Sequence, residues 1–120
     1  MTKTSFIKSR IKSFGYAFQG LKTILKEEPN FWIHILATLI VVSAGFWFNI
    51  TTYEWIAILF AIAMVLAAEI FNTAIENLSD AVTKEQNPHI KKTKDLAAAA
   101  VLITSIFALI IGLIIFLPKL

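Results

Sequence analysis

Apolar positions recur along residues 4–27 at Ile7, Ile11, Phe14, Phe18, Leu21 and Leu25. Alternating spacings of four and three lay these side chains along one face of a helix. Lys8, Arg10, Lys12, Gln19, Lys22 and Lys26 fall mainly off that face, the pattern of a helix lying in a membrane interface with lysine stems reaching up to water. Pro29 interrupts it, because the residue before a proline avoids helical backbone angles; a new helix is expected to start near Asn30. From there the pattern gives way to nearly continuous apolar runs at 31–48, 54–82 and 96–117. At about 1.5 Å per residue, such runs cross, or nearly cross, about 30 Å of hydrocarbon. Trp32 and Trp47 bracket the first run as interfacial anchors. A short polar turn covers 49–52, a charged loop with Pro88 covers 83–95, and Pro118 ends the third run. The prediction is an all-α integral membrane protein, with three transmembrane helices behind an amino-terminal amphipathic surface helix. One domain takes up all of 1–120.

Composition supports this reading and narrows it. Of 120 residues, 58% are hydrophobic, and the mean hydropathy is +0.74, far above an ordinary soluble domain. No cysteine is present, so disulfide and thiolate chemistry are excluded. The basic start is interrupted by polar residues, unlike a secretory signal peptide. The formal charge of +3 resides mostly in segments flanking the apolar runs, which argues against a nucleic-acid partner. Lys3, Lys8, Arg10, Lys12, Lys22 and Lys26 in the amino-terminal arm, and Lys84, Lys91, Lys92 and Lys94 in the 83–95 loop, contrast with a 49–54 turn that has no basic residue. The positive-inside rule therefore puts the amino terminus and the second loop on the cytoplasmic side of the cell inner membrane.

The second run is unusual. At about 100° per residue, Glu69, Asn72, Glu76 and Asp80 fall at roughly 0°, 300°, 340° and 20°, one narrow polar stripe on an otherwise apolar rod. Counted from Trp55 at about 1.5 Å per residue, Glu69 lies roughly 21 Å deep and Glu76 roughly 31 Å, at the inner boundary. Glu28 precedes the first run, and Lys94 and Asp95 the third, at the same level. Each also has a plain structural reading. Glu69 could be a buried acid satisfied by another helix, Glu28 and Glu76 boundary residues in water, and Asp95 the N-cap of the third span. Their convergence at one depth favours a site. Two carboxylates flanking a gap can hold Mg²⁺ together with substrate phosphates. A third, set deeper and out of bulk water, suits a general base for a lipid hydroxyl. Phosphoryl transfer asks mainly for such positioning and charge neutralisation, yet no Gly-x-x-x-x-Gly-Lys loop, Gly-rich kinase loop, DFG or HRD motif is present.

The run AAEIFNTAIENLSD at 67–80, with SFGYAFQGL at 13–21, EPNFWIH at 28–34 and KDLAAAAV at 94–101, closely resembles the prokaryotic diacylglycerol kinase family. These small membrane lipid kinases include the undecaprenol kinases. The resemblance implies a homotrimer with active sites shared between neighbours, and ATP as phosphate donor. It makes Glu69 the catalytic base, supported by Asn72, and Glu28 and Glu76 the carboxylates that bind Mg²⁺ with ATP. Tyr16, Lys94 and Asp95 match nucleotide-contacting positions, and Glu85 lies in a loop that the family folds over the nucleotide. There are departures. Gln86 and Asn87 stand where an aromatic and a histidine are frequent, and the family's early arginine matches Arg10, displaced by about one place, with Ser9 at the usual position. The E-x-N-x-x-I-H stretch ending at His34 looks more like the undecaprenol kinase branch; as a bare residue, His34 reads as hydrogen-bonded rather than catalytic.

The expected function is therefore transfer of the γ-phosphate of ATP to a lipid alcohol, undecaprenol or diacylglycerol, at the cytoplasmic face. A proton- or cation-coupled transport protein using Glu69 and Glu76 as a relay is the alternative. It expects acids near mid-bilayer and access from both sides, whereas nothing polar continues outward from Glu69 through 59–68. A scaffold binding anionic lipid through the basic arm leaves the acidic stripe unexplained.

Overall fold

The computed structural model describes residues 2–120. They form α1 (Lys3–Glu27), α2 (Pro29–Trp47), α3 (Thr52–Val82) and α4 (Pro88–Phe116), followed by a 3₁₀ turn at Leu117–Lys119 that contains Pro118. No strand occurs among the described residues. Helices α2, α3 and α4 are each long and apolar enough to cross a membrane.

Local chemistry sets the helix ends. Thr2 caps α1, its hydroxyl accepting from the Ser5 amide at 3.1 Å. Helix α2 stops in a Schellman motif: the Ile50 amide reaches Gly45 O and the Asn49 amide reaches Phe46 O. Asn49 supplies the left-handed residue, at φ 52°, that such an ending requires. Thr51 and Glu54 then cap each other's amides at 3.2 and 2.9 Å to start α3.

The third span begins earlier than the sequence pattern suggests. Asn87, not Asp95, is its N-cap, accepting from the His89 and Ile90 amides at 2.8 and 3.3 Å. Pro88 sits in the first helical turn, where its missing N–H leaves nothing unpaired. The expected 83–95 loop shrinks to 83–87, and Asp95 becomes a mid-helix residue whose carboxylate accepts from Lys91 Nζ at 2.6 Å, one turn back.

Helices α3 and α4 pack along much of their length. Two ion pairs at opposite ends fix their antiparallel register: Lys94 to Asp80 at 2.8 Å and Lys119 to Glu54 at 3.0 Å. The buried cluster of Ile50, Ile58 and Ile115 lies by the α2–α3 turn, with Val41, Phe48 and Trp55 against it. Gly45 is buried there, and the Trp55 ring occupies the space a side chain would need. Helix α2 touches α3 far less than α4 does, and a cavity of about 420 Å³ opens between the three spans. Elsewhere the spans expose large apolar side chains such as Leu36, Leu39, Phe60 and Phe107, an extent that marks a lipid or protein contact.

Candidate active site

At the end of the bundle away from the isoleucine cluster, the polar stripe of α3 runs from a buried Glu69 through half-buried Asn72 and Glu76 to an exposed Asp80. Glu69 is only 4% exposed, although burying a carboxylate is costly unless it is partnered. His34 on α2 approaches it, with Nε2 3.4 Å from Glu69 Oε2. The next turn carries Asn72, whose Nδ2 donates to Glu76 Oε1 at 3.3 Å. Asn72 Oδ1 and Thr73 Oγ1 are buried without a hydrogen-bond partner. Polar atoms in that condition normally find one; Asn72 Oδ1 can only accept, whereas Thr73 Oγ1 can accept or donate.

Glu28 arrives from the other side. It ends α1 and caps α2, in extended backbone at φ −114° and ψ 102°. Trp32 ties the two helices together there by donating its indole N–H to Leu25 O at 2.6 Å, one of the carbonyls that α1 leaves free at its end. Burial, followed by the negative charges of Glu76, Glu69 and Glu27, holds the Glu28 carboxyl above the usual carboxylate range. Glu28, Glu69 and Glu76, separated in sequence, thus lie near enough for the charges of the latter two to act on Glu28. Neighbouring carboxylate oxygens suit a hard cation. Among the described residues, no group of three or more His, Cys, Asp or Glu side chains is placed to hold a metal ion. Mg²⁺ commonly takes one or two carboxylates while waters and phosphate oxygens complete its shell, and Glu28 and Glu76 are the two that would serve.

The remaining candidates are placed around these acids or away from them. Lys94 is held by Asp80 at 2.8 Å, and Asp95 by Lys91. Arg10 is exposed, its guanidinium 5.5 Å from the centre of the Phe6 ring and its Nη2 donating to Ser9 Oγ at 3.3 Å. Tyr16 is 68% exposed, and Glu85 is exposed in the 83–87 loop, its amide bonded to Thr83 Oγ1. In the single chain, none of these three side chains forms an ion pair or hydrogen bond with Glu28, Glu69 or Glu76. Two features escaped the sequence reading. Thr73 lies at roughly 40° on the same wheel as Glu69, so its place on the stripe was there to be read at about 100° per residue. The meeting of His34 with Glu69 was not, since no periodicity links residues on different helices.

Residues 15–116 match the family model of prokaryotic diacylglycerol kinase. The chain belongs to that family. It is 39% identical over 109 residues to the undecaprenol kinase of Bacillus subtilis (strain 168), an alignment covering 91% of this chain and 89% of that one. It is 31% identical over 100 residues to the diacylglycerol kinase of Escherichia coli (strain K12), covering 83% and 82%. The diacylglycerol kinase of Haemophilus influenzae is 30% identical over 103 residues, covering 86% and 87%. Family membership makes this protein a multi-pass membrane lipid kinase and leaves the transport alternative without support.

Proposed function

We propose that the protein transfers the γ-phosphate of Mg–ATP to the hydroxyl of a membrane lipid alcohol at the cytoplasmic face of the inner membrane. Undecaprenol is favoured over diacylglycerol. The observation that carries this reading is the buried Glu69, whose neighbour His34, at 3.4 Å, lines the apolar cavity. A long-chain alcohol lying along the cavity brings its hydroxyl to a carboxylate and its tail to apolar walls. Undecaprenol is preferred because the His34 motif resembles that branch and the Bacillus relative bears that name.

In this reading Glu69 accepts the hydroxyl proton as the lipid oxygen forms its bond to the γ-phosphorus. The bond to the β-phosphate oxygen breaks, and ADP leaves. Glu28 and Glu76 would hold Mg²⁺, which when bound would supply neutralisation of phosphate charge. Asn72 fixes Glu76 by donating its Nδ2–H to Oε1. Lys94 and Asp95 contact the nucleotide from the first turns of α4, and Glu85 covers it. Arg10 and Tyr16, on a surface helix directed away in the single chain, join through a neighbouring subunit of a homotrimer. The lysine-rich arm and the 83–94 stretch face the cytoplasm, where ATP is available.

The decisive experiment presents purified protein in lipid with γ-labelled ATP, and undecaprenol and diacylglycerol side by side. Labelled phospholipid from undecaprenol in preference to diacylglycerol is expected. No labelled product from either alcohol refutes the reading, and a preference for diacylglycerol refutes the substrate choice alone.

A further inference from the structure

The requirement on Glu69 is demanding. Its side chain is 5% exposed on a span, yet it has to point one oxygen at a substrate hydroxyl in every turnover. A buried carboxylate keeps one orientation only if a donor fixes it. Among the described residues, the only basic side chain with a nitrogen within 4.0 Å of that carboxylate is His34, its Nε2 at 3.4 Å from Oε2. That separation is long for an aligned hydrogen bond, as is common before substrate tightens a catalytic pair.

His34 is itself well anchored. It lies on the first turns of α2, between Phe31, which is 3% exposed, and Thr38, whose hydroxyl bonds to His34 O at 2.8 Å. Trp32 locks the same turn to α1. The imidazole is 22% exposed and borders the 420 Å³ cavity along with Thr38, Val65 and Leu66. A ring nitrogen therefore stands between the apolar space and the acid.

We propose that His34 is a positioning residue of the transfer reaction, its Nε2–H holding one oxygen of Glu69 so that the other faces the lipid hydroxyl. This deepens the kinase reading and rests on Glu69 as proton acceptor. No proton is exchanged with His34 in the step. The acid takes the hydroxyl proton, and the ring supplies direction.

The test compares His34→Phe, which keeps a ring without a donor, with His34→Gln, whose amide N–H can reach the same oxygen. His34→Asn, polar but shorter, serves as a third variant. Transfer from labelled ATP to undecaprenol is measured in mixed micelles, with nucleotide affinity and size-exclusion profile reporting folding. Loss of a hydrogen bond to a charged group predicts that His34→Phe and His34→Asn lower kcat about 10- to 100-fold, with KM for both substrates within about twofold. His34→Gln is expected to return to within about fivefold of the parent, the amide replacing the lost donor. A His34→Phe kcat within about twofold of the parent, an equal fall in Phe and Gln variants, or a loss confined to KM overturns the proposal. If the parent protein is active and Glu69→Gln is not, those results remove the role of His34 alone. A parent that phosphorylates neither alcohol removes the kinase reading together with it.

Discussion

Replacing Gly45 by alanine tests the packing of the bundle separately from its chemistry. A Cβ built on Gly45 would lie 2.6 Å from Trp55 Cη2, 2.8 Å from Cζ2 and 3.2 Å from Ile50 Cδ1. Carbon atoms rest at about 3.5–4.0 Å, so the indole has to retreat by about 1 Å. Its retreat is limited, because Phe46 packs against the same ring with centroids 4.9 Å apart and Ile50 belongs to the buried cluster. Overpacking of this kind costs about 1–3 kcal/mol, while alanine recovers about 0.5–1 kcal/mol of helix propensity over glycine, leaving a net loss of up to about 2.5 kcal/mol. Gly112, whose added Cβ meets nothing within 4 Å, is the control, and Gly112→Ala is expected to gain about 0.5–1 kcal/mol. Thermal unfolding in detergent, followed by helical circular dichroism and tryptophan emission, reads both. Gly45→Ala should unfold at lower temperature with shifted emission, while the folded fraction keeps the parent's KM for nucleotide. An unchanged midpoint and spectrum would show that Trp55 is not seated against α2, and the fold of the turn end would be wrong.

The other predictions concern the acids. Glu69→Gln should reduce transfer by at least about 100-fold, the scale of general-base catalysis, with nucleotide affinity retained by isothermal titration; a near-parental rate removes it as base. Glu76→Gln should weaken Mg–ATP binding while its amide oxygen still accepts from Asn72 Nδ2, so unchanged affinity rules out its metal role. Glu28 has a raised folded-state pKa through burial and its acidic neighbours, so the folded chain holds this proton more tightly than the unfolded chain. The resulting stability is fully present below the ordinary value of 4.5 and is lost as pH rises through the raised one. Without nucleotide or metal, Glu28→Gln should therefore unfold later than the parent at neutral pH, the difference closing on acidification below 4.5; a less stable variant at neutral pH contradicts the repulsion. Added Mg²⁺ with nucleotide should narrow or reverse the gap by binding the folded parent better.

Much of this molecule was legible in its sequence because a bilayer simplifies the code. Runs of apolar residues had to be helices, since a lipid-exposed chain has no other way to satisfy its backbone. The stripe from Glu69 to Asp80 emerged from periodicity alone. The start of α4 did not. Pro88 in a charged stretch looks like a breaker, yet behind an Asn87 cap it is a favourable first residue, and nothing local distinguishes the two. Pairings between helices were also hidden. Lys94 with Asp80, and His34 with Glu69, depend on register and on the lean of α2, which packing decides. Arg10, Tyr16 and Glu85 are likewise exposed in the single chain, where none of their side chains forms an ion pair or hydrogen bond with Glu28, Glu69 or Glu76.

Glu28 is the sole non-helical residue between Lys3 and Trp47, an elbow one peptide long. Any tilt of the floating arm relative to the first membrane rod has to be absorbed there, next to a proline ring that stiffens one side. A change of angle between the two helices would therefore move the Glu28 carboxylate, the group on which the charges of Glu76 and Glu69 both act.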